Sequence, residues 1–155
     1  MQFLKSRQGS VTTPVVLLAA GVAILAILVF LLIGPPRLLA KSESPAFCAS
    51  CHVMEEQYTA WSHAGAHRRI LCVDCHLPNG GPIGHYLWKS IDGMKDVLFF
   101  QTDHIPERIT LSSHGTQVVQ ANCIRCHEET VSRIDTTRQC WKCHRQLQHR
   151  LTGTI

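Results

Sequence analysis

All eight cysteines of this chain fall into one repeated pattern, Cys-x-x-Cys-His. Two thiols three residues apart lie on one turn of a helix, where both can reach the two vinyl groups of one porphyrin. The histidine that follows each pair can then ligate the iron. The pattern predicts one covalent c-type haem at each copy. The four thiol pairs are Cys48 and Cys51, Cys72 and Cys75, Cys123 and Cys126, and Cys140 and Cys143.

Two other chemistries use the same thiol spacing. A zinc ribbon with four thiolate ligands would suit the gap between Cys51 and Cys72, and a lone pair could form a redox-active disulfide. Four copies, each with its histidine and with no cysteine left over, favour haem instead. We therefore interpret the chain as a tetrahaem cytochrome c.

Each iron also needs a second axial ligand from outside its motif. The motif histidines are His52, His76, His127 and His144, and the other candidates are His63, His67, His85, His104, His114 and His149. His63 and His67 precede the second motif and compete for one role, whereas His149 follows the last motif closely enough to reach a neighbouring iron. Met54 lies about 200° around a helix from His52, so only one of the two can ligate the same face of the first haem. The residues alone favour His52, because histidine is the commoner ligand.

An apolar run of nineteen residues occupies 15–33, counting Gly21. As a helix it would be about 28 Å long, close to the thickness of the hydrocarbon core of a membrane. Lys5 and Arg7 precede it, which predicts a cytoplasmic N-terminus, and the two prolines that follow Gly34 favour a retained anchor over a cleaved signal. The expected organisation is a cytoplasmic N-terminus at 1–13, a transmembrane anchor at 14–34 and a periplasmic haem domain at 35–155.

Length and charge narrow the class of protein further. Of the 15 basic residues in the 155-residue chain, Lys5 and Arg7 precede the anchor. The rest of the chain therefore contains 13 basic and 11 acidic residues. No basic stripe or nucleic-acid motif is present, which argues against nucleic-acid binding. So short a soluble part must bury apolar surface against its haems. The fold class is therefore expected to be mostly α with much irregular loop, one N-terminal transmembrane helix and a small haem-packed domain.

The insert between the second and third motifs predicts an amphipathic helix over 83–100. Leu87, Ile91, Met94 and Leu98 share one face, and His85, Lys89, Asp92 and Asp96 share the other. The helix could pack into a core with a solvated charged face, or its polar stripe could border a cavity where protons are handled. A shorter helix is expected over 55–61. The segment 101–120 predicts a loop followed by an undefined element at 111–119.

Several local motifs together resemble the membrane-anchored tetrahaem quinol dehydrogenases, the NapC/NirT-type cytochromes c. They are the single N-terminal helix, Cys48-x-x-Cys51-His52-x-Met54, Cys75-His76-Leu77-Pro78, Gly93-Met94-Lys95-Asp96 and Cys143-His144-Arg-Gln-Leu-Gln-His149. Within that family the chain is most similar to the small subunit of cytochrome c nitrite reductase. The resemblance implies four covalent haems and menaquinol as the substrate. It also implies a place in the cytoplasmic membrane and a hetero-oligomer with a periplasmic multihaem reductase, the nitrite reductase catalytic subunit above all.

The resemblance also implies roles for single residues. Met54, not His52, would ligate the first haem, with Asp96 on its open side and Lys89 in the quinol pocket. His67 and His149 would be distal ligands of two later haems. One iron in such proteins can take a lysine from the catalytic partner, although His104 and His114 could fill that position from within this chain.

Two other functions fit the motifs as well. The chain could be a passive membrane-tethered electron-transfer cytochrome without a quinol site of its own, or a related family member that serves another periplasmic reductase.

Overall fold

The computed structural model describes residues 12–149, so the basic residues Lys5 and Arg7 lie outside the described part. Within that range the chain forms α-helices and short 3₁₀ helices, and no strand. This confirms the expected fold class, which is mostly α with one N-terminal apolar helix. Contacts divide the chain into two compact units, Met1–Ser42 and Glu43–Ile155.

The first unit contains helix α1, which spans Thr12–Ile33. Its 22 residues make a helix about 33 Å long. The stretch Thr13–Ile33 is long and apolar enough to cross a membrane. After α1, the amide of Gly34 donates to the carbonyl of Phe30 at 2.8 Å, and two prolines follow. A short helix α2, Leu38–Lys41, completes the unit.

The first half of the second unit contains three short α-helices followed by one long α-helix. The helices are α3 (Pro45–Cys48), α4 (Glu55–Ser62), α5 (Cys72–His76) and α6 (Pro82–Gln101), with 3₁₀ helices at His52–Met54 and Gly65–Arg69. The helices predicted over 55–61 and 83–100 are therefore present, with their bounds shifted by at most one residue. Pro82 stands at the start of α6, where the missing N–H of proline costs no hydrogen bond.

Helix α7, Ser113–Val131, differs from the sequence expectation. An undefined element was expected at 111–119, and the helix instead continues through the whole third motif. The Ser112 hydroxyl accepts a hydrogen bond from the amide of Gly115 at 3.0 Å and so caps the first turn. The backbone leaves helical geometry at His127, the last residue of the motif. Two 3₁₀ helices follow, Cys140–Lys142 and Arg145–Gln148.

The protein core of the second unit lies where α5 packs against α7. The buried side chains within 13–149 are Ala60, Val73, Leu77, Val118 and Asn122. The Asn122 amide nitrogen donates to the carbonyls of Cys75 at 3.0 Å and Leu77 at 2.9 Å, which fixes the second motif to the third. None of the described side chains is less than 2% exposed, so the polypeptide alone makes only a small core.

Candidate haem-binding site

The four motifs adopt two kinds of local structure. The second motif forms α5 and the third lies inside α7, as the single-turn expectation requires. The first runs from the end of α3 into the 3₁₀ helix at His52–Met54, and the fourth begins with the 3₁₀ helix at Cys140–Lys142. A single α-helical turn is therefore a feature of two copies only. No disulfide joins any of the eight cysteines.

Thiols of successive motifs lie beside one another. Cys48 of the first motif lies beside Cys72 of the second, and Cys123 of the third lies beside Cys140 of the fourth. Burial raises the pKa of the Cys75 thiol, and the nearby charges of Asp74 and Cys126 raise it further. The motifs thus touch in chain order, first to second, second to third and third to fourth.

His76 of the second motif faces His149 near the C-terminus. Their ring centroids are 6.0 Å apart, with the planes 24° from parallel. A metal ion with bonds of about 2.0 Å to each of two imidazoles sets the ring centroids about 6 Å apart, so this spacing suits one iron between them. Desolvation lowers the pKa of His76 to about 4, with a smaller contribution from His149. Desolvation also lowers the pKa of His149, and a lowered pKa favours the neutral imidazole that a metal ligand must be.

A second histidine pair has the same separation. The rings of His67 and His127, the latter from the third motif, have centroids 6.0 Å apart with their planes at 43°. The competing His63 instead has its Nδ1 atom 2.8 Å from the carbonyl of Thr59 in its own helix, and it is exposed. Of the two candidates before the second motif, His67 and not His63 lies opposite a motif histidine.

The remaining ligand candidates have no facing imidazole among the described contacts. His52 is exposed and its ring lies 5.5 Å from that of Phe100, while Met54 is half-buried. His144 lines a cavity of about 380 Å³ together with His67 and Cys143. His104 hydrogen-bonds locally, with Nδ1 2.6 Å from the carbonyl of Thr102.

His114 is the most unusual of these histidines. Its ring stacks on Trp88, with centroids 3.5 Å apart, and its buried Nε2 atom has no hydrogen-bond partner. A buried imidazole nitrogen without a partner is a costly arrangement in a protein interior. The described structure brings no motif histidine into ring contact with it.

The polar side of α6 divides into two clusters. Near its start, Glu43 forms ion pairs with both His85 and Lys89. One turn further on, Lys95 pairs with Asp92 at 3.3 Å and lies 3.8 Å from Asp96. Sequence reasoning missed Glu43, because an acidic residue 42 positions ahead of His85 carries no pattern that links them. Most apolar residues of the helix, including Leu87, Met94 and Leu98, are exposed in this unit, whereas Trp88 and Phe100 are half-buried.

The residues present fit covalent haem better than the alternatives. Four thiol pairs, each followed by a histidine, stand in a unit whose own side chains bury little, and two of those histidines face a second imidazole at iron-spanning distance. Within residues 12–149, no three His, Cys, Asp or Glu side chains converge as a metal-ion site of the zinc-ribbon kind. This fold and this arrangement of groups define a helical multihaem cytochrome of the c type.

Comparisons with known proteins agree with this class. The sequence pattern of the NapC/NirT cytochrome c family, N-terminal region, matches residues 8–152, and the chain belongs to that family. Covalently bound haem c is therefore its cofactor, and electron transfer is its chemistry.

Two curated relatives and one solved structure are similar over most of the chain. The cytochrome c-type protein NrfH of Wolinella succinogenes is 31% identical over 140 residues, which cover 81% of this chain and 79% of that protein. The cytochrome c nitrite reductase subunit NrfH of Nitratidesulfovibrio vulgaris is 33% identical over 150 residues, covering 94% and 89%. A chain in a crystal structure of the cytochrome c nitrite reductase NrfHA complex bound to the HQNO inhibitor matches with a TM-score of 0.71 and 28% identity, over 89% of this chain and 94% of that one.

Proposed function

We propose that this protein is a membrane-anchored quinol dehydrogenase that oxidises menaquinol and delivers electrons to the catalytic subunit of a cytochrome c nitrite reductase. Both relatives are named NrfH, one of them as a cytochrome c nitrite reductase subunit, and the similar crystal structure is the NrfHA complex of that reductase. The membrane-length helix α1 supports a single-pass anchor. We place the N-terminus inside and the haem domain, 35–155, on the periplasmic side.

The two histidine pairs carry this proposal, because they supply both axial ligands for two of the four proposed redox centres. We assign His76 and His149 to one iron, and His67 and His127 to another. Met54 is assigned to the first iron by resemblance to the family, and the half-burial of its side chain is consistent with that role. We assign His144 to the iron of the fourth motif. The second ligand of that iron would come from the partner reductase.

Bound haem supplies one-electron redox chemistry at each motif. The contacts between successive motifs, Cys48 to Cys72 and Cys123 to Cys140, support a linear order of these centres from the first motif to the fourth. Cys48 lies only fourteen positions after Gly34, which follows the apolar run. This short tether supports a position of the first motif close to the quinol pool. The fourth motif is then the one that would pass electrons to the reductase.

The chain's own task at the quinol is to orient hydroxyl groups and take up protons. Lys89 and Asp96 on α6 are the residues we assign to it. Partial desolvation raises the pKa of Asp96, the charge of Lys95 opposes this, and the charge of Asp92 adds to it. A carboxylate with a raised pKa is a better general base near neutral pH.

Replacing Asp96 with asparagine is expected to slow reduction of the haems by a menaquinol analogue by about 10²-fold, because the amide cannot accept a proton. In the unchanged protein the rate should fall as the pH drops through the raised pKa of Asp96, since the base must be deprotonated. The measurement is the stopped-flow rise of the reduced c-type absorption band.

Asp103→Asn is the matched control, because Asp103 is an acid just beyond α6 whose left-handed backbone, with φ of 54°, asparagine tolerates. Its rate should equal that of the unchanged protein. If Asp96→Asn reacts at the normal rate, Asp96 has no part in the proton transfer.

A further inference from the structure

Three side chains form a half-buried cluster at the start of α6. Glu43 is the centre: its Oε2 atom lies 3.0 Å from Nε2 of His85, and its Oε1 atom accepts a hydrogen bond from the Lys89 ammonium. The exposed fractions of the three side chains are only 14% to 18%. The other ring nitrogen of His85, Nδ1, lies 3.2 Å from the carbonyl oxygen of Pro78.

The hydrogen-bond inventory of this cluster requires an additional proton. The Pro78 carbonyl can only accept, and so can an ionised Glu43 carboxylate. A neutral imidazole has a single N–H, so it could satisfy one of these two contacts and would turn a lone pair towards the other oxygen. Both contacts are made only when a proton also lies between Nε2 of His85 and Oε2 of Glu43. The cluster then carries a net charge of +1, because Lys89 is already protonated.

The charges around the cluster favour an ionised carboxylate at Glu43. Burial tends to raise the pKa of Glu43, but hydrogen bonds and charges from Lys89 and His85 prevail and lower it. The titratable groups that face His85 are Glu43 from the segment before α3, and Lys89 and Tyr86 from its own helix, the Tyr86 ring lying edge-on at 5.1 Å.

The cluster stands next to the first motif. The charges of both Lys89 and Glu43 act on the thiol of Cys48, so the cluster lies within electrostatic reach of the point where the first haem is attached. Lys89 is also one of the two residues that the proposed function places at the quinol. Oxidation of a quinol by two electrons releases two protons, and Asp96 in the second cluster can take only one of them.

We propose that Glu43 and His85 form a proton-holding site that relays the second proton of the quinol. In this step the proton held between Nε2 of His85 and Glu43 first passes to water. One quinol O–H bond then breaks, and its proton forms the N–H bond at Nε2 of His85 again. The two electrons go to the redox centres of the chain. This inference rests on the proposed function for the source of the proton, and on the geometry of the cluster for the place where the proton is held.

The experiment uses the full-length haem-loaded protein in detergent, with isotope-labelled histidine, and infrared difference spectroscopy. The unchanged protein at pH 7 should show an imidazolium band that His85→Gln lacks. Glu43→Gln should remove most of that band, because the carboxylate that holds the proton is gone. Glu55→Gln, a matched change at an exposed acid at the start of α4, should leave the band intact. Haem content per chain, measured on each variant, checks that the variants fold.

Addition of menaquinol should decrease the His85 band transiently in the unchanged protein, with recovery when the quinol proton replaces the one released, and should cause no such change in Glu43→Gln. Absence of the imidazolium band at pH 7 before quinol addition, or a band that is indifferent to Glu43→Gln, would overturn the proton-holding site. Failure of menaquinol to reduce the unchanged protein at all would instead overturn the proposed function. Haem reduction is followed by the haem absorption, which is measured separately from the infrared band.

Discussion

Replacement of His149 with asparagine is expected to convert one of the four haems from low-spin to high-spin and to slow electron delivery by about tenfold or more. The reason is the position of His149 opposite His76, with ring centroids 6.0 Å apart. Without that imidazole, one face of the iron is open and the ligand field weakens. Electron paramagnetic resonance of the oxidised protein should show one low-spin signal fewer, while the number of haems per chain stays unchanged.

The backbone at His149 supports a specific role for this residue. It adopts a left-handed conformation, with φ of 51° and ψ of 39°, which costs a non-glycine residue about 1–3 kcal/mol. Such strain persists where the surrounding structure requires that side chain in that place. Asparagine is the substitution of choice because it tolerates this conformation, so the variant tests the imidazole and not the turn.

His63→Ala is the control for this prediction. The His63 ring bonds to its own helix and is exposed, so its loss should leave every low-spin signal in place. If His63→Ala removes a low-spin signal and His149→Asn does not, the pairing seen in the structure is wrong.

Removal of the third motif's thiols is expected to unfold the soluble unit, not merely to delete one cofactor. Only four apolar side chains of the described soluble unit are buried, Ala60, Val73, Leu77 and Val118, so the polypeptide alone buries little apolar surface. The attached porphyrins must therefore supply most of the apolar surface that is buried, and the α5–α7 contact beside the third motif depends on them.

The Cys123→Ala/Cys126→Ala double variant should consequently be degraded rapidly in limited proteolysis and should be recovered with little attached haem. Arg125→Ala changes one of the two residues between the cysteines of the same motif. Its side chain makes only long hydrogen bonds, 3.3 Å to Oδ1 of Asn122 and 3.4 Å to the Asp74 carbonyl, so this variant should keep four haems. A double variant that resists protease normally with three haems per chain would show that the polypeptide folds without this porphyrin.

The sequence predicts the elements of this protein wherever one periodic pattern decides them. The apolar run at 15–33 and the amphipathic pattern at 83–100 correspond to α1 and α6 within a few residues. Helix α7 was not recognised over its full length, because its first half contains Gly115, Thr116 and adjacent valines, which are weak helix formers. Its stability comes from the Ser112 cap and from the contacts of Asn122 with α5. The cap was visible in the sequence, whereas the contacts were not.

The candidate site shows the same division between local and distant signals. Spacing identifies every thiol and every motif histidine, because the attachment chemistry is confined to five consecutive residues. It cannot pair His76 with His149, which are 73 positions apart, or Glu43 with His85. Those pairs arise only when helices that are distant in sequence meet. The choice between His63 and His67 likewise follows from which ring faces His127.

The most direct test of the account is to add menaquinol to the purified full-length protein in lipid nanodiscs, without any partner, and to record its visible spectrum. We predict that the sharp reduced c-type bands develop with the quinol alone and that Asp96→Asn delays them. Bands that appear only with dithionite or with a reduced cytochrome would contradict the account, and would make this protein a passive carrier of electrons.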